Sequence, residues 1–218
     1  MAITQVDSYR RWRYGAFKWR YELSTVQKLA LALLFAGVVG LAAQIRIPFE
    51  PVPIRCQTLA VLLAGVLLGK RWGGVSLASY IGLGAAGVPW FTGWSGGIGH
   101  LTGATMGYLI GFVLAALFIG FFVDRYISSR KFFPMLGLML FASLILIDVP
   151  GLLWLHYWWG NTFGTISFFS YTFLWSSFLM FLPGDIIKAV AAAGVVKAIA
   201  PKEAYNGEVD KGKVLRLP

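Results

Sequence analysis

The feature that most restricts the fold is a recurrence of long apolar runs. Six follow one another, at about 26–45, 54–69, 72–88, 104–123, 134–155 and 177–199, with short polar breaks between them. Crossing a hydrocarbon layer of ~30 Å takes roughly 17–25 apolar residues in helical form. The chain therefore reads as an all-α integral membrane protein, a six-transmembrane-helix bundle forming one domain. Composition agrees, with 58% hydrophobic and 13% charged residues and a mean hydropathy of +0.71, outside the range of ordinary soluble domains.

A net charge of +10 would suit a polyanionic partner if the cations formed a patch. They do not. They gather before the first run (Arg10, Arg11, Arg13, Lys18, Arg20, Lys28), between the second and third (Lys70, Arg71), between the fourth and fifth (Arg125, Arg130, Lys131) and in the tail (Lys197, Lys202, Lys211, Lys213, Arg216). The other three connections hold only Arg46 and Arg55. By the positive-inside rule both termini are cytoplasmic in a multi-pass protein of the cell membrane. The charge reports topology and the lipid bilayer as a partner, and no nucleic acid is implied. The domain organisation is a basic cytoplasmic N-terminal segment at 1–24, the six-helix transmembrane domain at 25–199 and a cytoplasmic tail at 200–218. Leu29 to Val39 resembles a signal-peptide core, but the charged segment before it is too long for one and five further spans follow. A single cysteine, Cys56, excludes an intrachain disulfide and a CxxC metal site.

Most catalytic motifs fail on context. Gly82 to Gly87 fits GxGxxG, but no acidic residue occurs before Asp124 to hold a ribose. Ala64 to Arg71 ends in Gly69-Lys70, yet Ala64 stands where a phosphate loop needs glycine and Arg71 where it needs a hydroxyl. Gly93-Trp94-Ser95-Gly96 matches the GxSG of rhomboid-type intramembrane proteases. That chemistry needs a histidine base on a separate helix; the two histidines are His100, in the same loop, and His156, at the end of span 5. Neither catalytic residues nor a metal site nor a cofactor are expected, the histidines being interfacial polar residues. Gly65-x3-Gly69, Gly103-x3-Gly107, Gly107-x3-Gly111 and the Ala32–Ala36 spacing allow close helix approach. Trp90, Phe91 and Trp94 flank a glycine run able to fold over the bundle, whereas Trp154, Tyr157, Trp158 and Trp159 are expected in an outer connection as belt residues.

The strongest site signal is Phe181-Leu182-Pro183-Gly184-Asp185-Ile186-Ile187-Lys188. A charge at mid-bilayer costs about 2.5–3.5 kcal/mol on insertion scales, so two within a span need a reason. Three residues apart, Asp185 and Lys188 share a helix side and can neutralise one another or hold a ligand. Pro183-Gly184 starts or interrupts the helix, which would leave free backbone N–H groups near Asp185. Asp148, in span 5, is followed by Pro150-Gly151 as a second interruption. Together these residues predict a polar pocket toward the outer ends of spans 5 and 6, suited to a small, mostly apolar molecule with a few polar atoms.

Pro51-Val52-Pro53-Ile54 with Gln57 to Gly65, Gly93 to Gly97, Gly107 to Phe112 and Phe181 to Lys188 together resemble the BioY family, the biotin-binding S components of energy-coupling-factor (ECF) transporters. The resemblance runs from about residue 25 to 199. It implies high-affinity capture of biotin and its import, powered by a membrane T protein and an ATPase pair. It also implies substrate contacts at Asp185, Lys188, Tyr108, Trp94, Gly96 and Gly97, a gating loop with Trp90, Phe91, Gly93 and Ser95, and a T-protein contact at Ala32 and Ala36; Asp148, singled out by its depth in the span, is expected either to join the substrate contacts or to pair with Lys188. Two departures stand out: Gly103-Ala104-Thr105-Met106-Gly107-Tyr108 replaces the family's GPTGGY, and Asp148 stands where relatives tend to carry an uncharged residue. The alternatives are an S component for a different vitamin and a protease using Ser95.

Overall fold

In a computed structural model, the described residues are 2–47, 54–164, 167–168 and 170–201. Pro51-Val52-Pro53 and the tail from residue 202 lie outside them.

The N-terminal segment is itself a helix, α1 (Ala2–Glu22), held along the cytoplasmic end of the bundle by long side chains. Tyr9 and Arg13 donate to the Ala198 carbonyl. Phe17 is buried in the main core. Ser24 then opens α2 (Thr25–Gln44) with a capping box, its hydroxyl accepting from the Gln27 amide while the Gln27 side chain accepts from the Ser24 amide. Two-residue strands, β1 (Arg46–Ile47) and β2 (Ile54–Arg55), pair antiparallel after it.

The second and third expected spans are two helical limbs, taken together as α3 (Gln57–Ala85), joined by a reversal at Gly69, where φ is +78° and ψ is 178°. Only glycine adopts that backbone without strain. The reversal sets Gly73 against Ala64 and Gly65, where a Cβ would lie 3.1 Å from the Ala64 oxygen. Counting its two limbs separately restores the six bundle helices. The other spans are α4 (Met106–Arg125), the continuous run from α5 (Phe132–Phe141) through α6 (Asp148–Phe163), and the segment through α7 (Tyr171–Leu174) to α8 (Leu182–Ile199). Among the described residues five helices, α3 counted whole, are long and apolar enough to cross a membrane.

The core forms where both limbs of α3 meet α2 and α4, with Ala116 and Ile119 packed on Gly65 and Leu117 on Gly74. Span 5 is longer than expected. It continues past residue 155 to Phe163 because nothing breaks it before Gly164, at φ +97°. Trp154, Tyr157, Trp158 and Trp159 therefore sit on the last turns of a helix, not in a connection.

The phosphate-loop match also resolves. Gly69 and Lys70 form the reversal, and the Lys70 amide is engaged by the Asp124 carboxylate at 2.7 Å. That backbone is committed to folding, so it cannot cradle a phosphate chain.

Candidate functional site

Two wide helical turns position the charged residues. Between α5 and α6 the chain runs as a π-helix, Ala142–Ile147, so that the Asp148 amide donates to the Ser143 carbonyl five residues back. Pro150 lacks an N–H to give to the preceding turn, and the wider winding absorbs that mismatch without breaking the span. The expected interruption at Pro150-Gly151 is thus a π-turn just upstream. A second π-helix, Trp175–Leu179, precedes α8. Such turns are rare and concentrate at functional positions.

The bulged backbone needs room, and α4 supplies it. A Cβ on Gly111 would lie 2.5 Å from the Leu146 oxygen and 2.6 Å from the Ile147 Cα, and one on Gly107 would meet the Pro150 carbonyl and Trp154. The Gly107-x3-Gly111 face therefore receives the chain on both sides of Asp148. Gly151, one turn beyond Asp148, lies under the Tyr108 ring, which also touches a smaller cluster of Leu152, Leu155 and Phe173.

Helix α8 begins with Pro183 in its first turn, where a missing N–H costs nothing. Asp185 is also in that turn, where the helix dipole favours a carboxylate. Its own amide donates to the Phe181 carbonyl at 3.0 Å. The Lys188 Nζ lies 2.5 Å from Asp185 Oδ1, with side-chain exposures of 14% and 7%. Asp148, on span 5, is also buried. Spans 5 and 6 thus each carry an acid inside the bundle, and the one on span 6 is paired with Lys188.

The loop residues gather elsewhere, over the outer ends of α2 and α3. The Gln44 Nε2 donates to the carbonyls of Gly40, Trp90 and Phe91 at 3.1, 3.3 and 2.9 Å. Its Oε1 accepts from the amides of Gly93 and Trp94, each at 3.0 Å. One side chain thereby clamps the whole turn. Trp90 donates from its indole to the Tyr80 carbonyl at 2.9 Å, and Phe91 is buried edge-on against the Tyr80 ring. Trp94 has a positive φ of +57° and is 62% exposed. Gly96 packs on the Gly87-Val88 backbone, and the Gly97 amide donates to the Gly84 carbonyl at 2.8 Å.

Ser95 donates its hydroxyl to the Thr92 carbonyl at 2.7 Å, while the His100 ring packs on Phe91. His156 sits edge-on to Phe168 and Phe173. The GxSG serine is therefore a turn residue, and both histidines belong to aromatic clusters. Ala32 and Ala36 are fully buried. Their spacing lets α2 pack closely within the chain.

Two polar residues escape sequence reasoning. Gln44 reads as the unremarkable end of a span, since all its partners but Gly40 are backbone atoms 46 to 50 residues away. Gln57 is 1% exposed at the outer start of α3, and neither end of its amide has a hydrogen-bond partner among the described residues. A buried glutamine at the start of an apolar run is a legible signal, because such a group is costly to leave unsatisfied.

Fold and site define a multi-pass helical membrane protein with an ion pair held inside its bundle. The family profile for BioY matches residues 16–204, and the chain belongs to the BioY family. A probable biotin transporter BioY from Methanothermobacter thermautotrophicus is 51% identical over 158 residues, covering 72% of this chain and 100% of that relative. The biotin transporter BioY of Rhizobium etli is 32% identical over 179 residues, covering 80% and 94%. Among solved structures, the crystal structure of the S-component for biotin from an ECF-type ABC transporter matches with a TM-score of 0.68 at 30% identity, covering 80% of this chain and 93% of that one.

Proposed function

We propose that this protein captures biotin at the outer face of the cell membrane and imports it as the S component of an ECF-type transporter. A membrane T protein and an ATPase pair energise the cycle. The family membership supports that role, and the chain's own glycine-lysine motif is spent on a helix reversal. The reading of the site rests on one observation, the Asp185–Lys188 pair held at 2.5 Å inside the bundle.

The ureido ring of biotin presents two N–H donors and one carbonyl acceptor. A carboxylate offers acceptors on both oxygens and an ammonium offers three donors, so the two side chains match the ring's polar edge. In this reading Asp185 accepts from a ureido N–H and Lys188 donates to the ureido oxygen. Charge-assisted hydrogen bonds of this kind are roughly twice as strong as neutral ones. Tyr108 and Asp148 flank the ring. Trp94, Gly96 and Gly97 complete the binding surface, and Trp90, Phe91, Gly93 and Ser95 form the gate.

Equilibrium dialysis of the purified protein against labelled biotin and a panel of other vitamins tests the assignment. Biotin is expected to bind in the nanomolar range and the others orders of magnitude more weakly. Micromolar biotin binding beside nanomolar binding of another vitamin would transfer the protein to that substrate.

A further inference from the structure

The cytoplasmic end carries cations that the proposed biotin site does not use. A cavity of about 190 Å³ opens there between the α1–α2 junction and the reversal of α3, with Lys28, Arg71 and Trp72 in its wall. The one acid in that wall, Asp124, is already engaged by Arg20 at 3.2 Å and by the Lys70 amide. Lys28 donates to the Tyr21 carbonyl, and Lys70 and Arg71 lie over the rings of Phe121 and Trp72. None of these three cations has a carboxylate partner among the described residues.

A second cavity of about 560 Å³ shares Arg71 and is headed by Lys70. It is an open groove between the second limb of α3 and α4, and its remaining lining is apolar: Gly74, Val75, Ala78, Val113 and Leu117. A positively charged mouth at the cytoplasmic interface thus leads into a furrow running along two transmembrane helices.

We propose that this composite site binds an anionic phospholipid of the cytoplasmic leaflet. Lys70, Arg71 and Lys28 would face the phosphate, and one acyl chain would lie in the groove. Charge complementarity selects the occupant, since uncompensated cations at this level attract anionic headgroups. The apolar groove distinguishes a lipid from a free phosphate, which would have no use for it. Trp12, Trp19 and Tyr21 of α1, each more than half exposed, add aromatic rings of the type that settles in the headgroup layer.

The test is native mass spectrometry of the full chain in mild detergent with equal phosphatidylglycerol and phosphatidylcholine. The wild type is expected to retain phosphatidylglycerol preferentially. Lys70→Gln/Arg71→Gln is expected to weaken that retention at least tenfold, and Val113→Trp, which fills the groove and alters no charge, is expected to weaken it as well. Biotin affinity should be unchanged in both variants. Equal retention of the two lipids by the wild type, or undiminished retention in both variants, would overturn the proposal and leave the cations as topology determinants. Displacement of the lipid by millimolar glycerol phosphate would equally overturn it, because a headgroup alone would then account for binding.

Discussion

At the scale of single residues, Asp185 and Lys188 were legible because burying a charge in a membrane span is costly enough to demand a purpose. Their 2.5 Å contact leaves two roles to separate, ligand binding and bundle stability. Asp185→Asn and Lys188→Met should each weaken biotin binding tenfold or more, about 1.4 kcal/mol, as measured by equilibrium dialysis. Each should also lower thermal stability in detergent, because the remaining charge keeps its desolvation cost without its partner. The double variant, carrying neither charge, is expected to regain much of that stability while binding biotin as poorly as the singles. Recovery of binding in the double variant would reduce the pair to a structural bridge. Gln44 shows the other side of legibility: four of its five contacts are to backbone atoms brought close only by the fold.

At the scale of elements, hydrophobic length alone located the spans, and small-residue spacing correctly marked α4 as a packing surface. The π-turns were illegible because a π-helix has no composition of its own; it appears where a proline and a neighbouring glycine face make the wider winding cheaper than a break. The reversal between the second and third runs was legible from the charged break at Lys70-Arg71, but its pivot was not, since Gly69 looks like any small residue until its φ of +78° is seen. Gly107→Leu should drive a side chain into the Pro150 backbone, an overpacking that costs roughly 1–3 kcal/mol or more. It is expected to lower both the melting temperature and biotin affinity, because it displaces the segment carrying Asp148. Gly137→Ala is the control: a Cβ there meets nothing within 4 Å, and alanine is the better helix former. Equal melting temperatures for Gly107→Leu and wild type would show that this packing face does not position the site.

Across the whole molecule, the two ends are held by different means. The inner end is braced by α1, whose Arg20 donates to the Val66 and Leu67 carbonyls at 3.0 and 2.8 Å, where the break at Gly69 leaves a helix end needing partners, and also pairs with Asp124. At the outer end a loop hangs on Gln44. Uptake requires the outer end to admit biotin while the rest of the bundle stays assembled, so the two fastenings should control different quantities. Gln44→Ala removes the clamp from a half-exposed loop; biotin dissociation is expected to accelerate at least fivefold, about 1 kcal/mol, with little change in melting temperature. Arg20→Ala strips partners from two carbonyls and from Asp124, whose side chain is 29% exposed. It should cost about 2 kcal/mol of stability and leave biotin dissociation unchanged. Stopped-flow dissociation and thermal unfolding on the same preparations separate the two effects. If Arg20→Ala accelerated dissociation as much as Gln44→Ala, the ends would be coupled, and opening outside would require loosening inside.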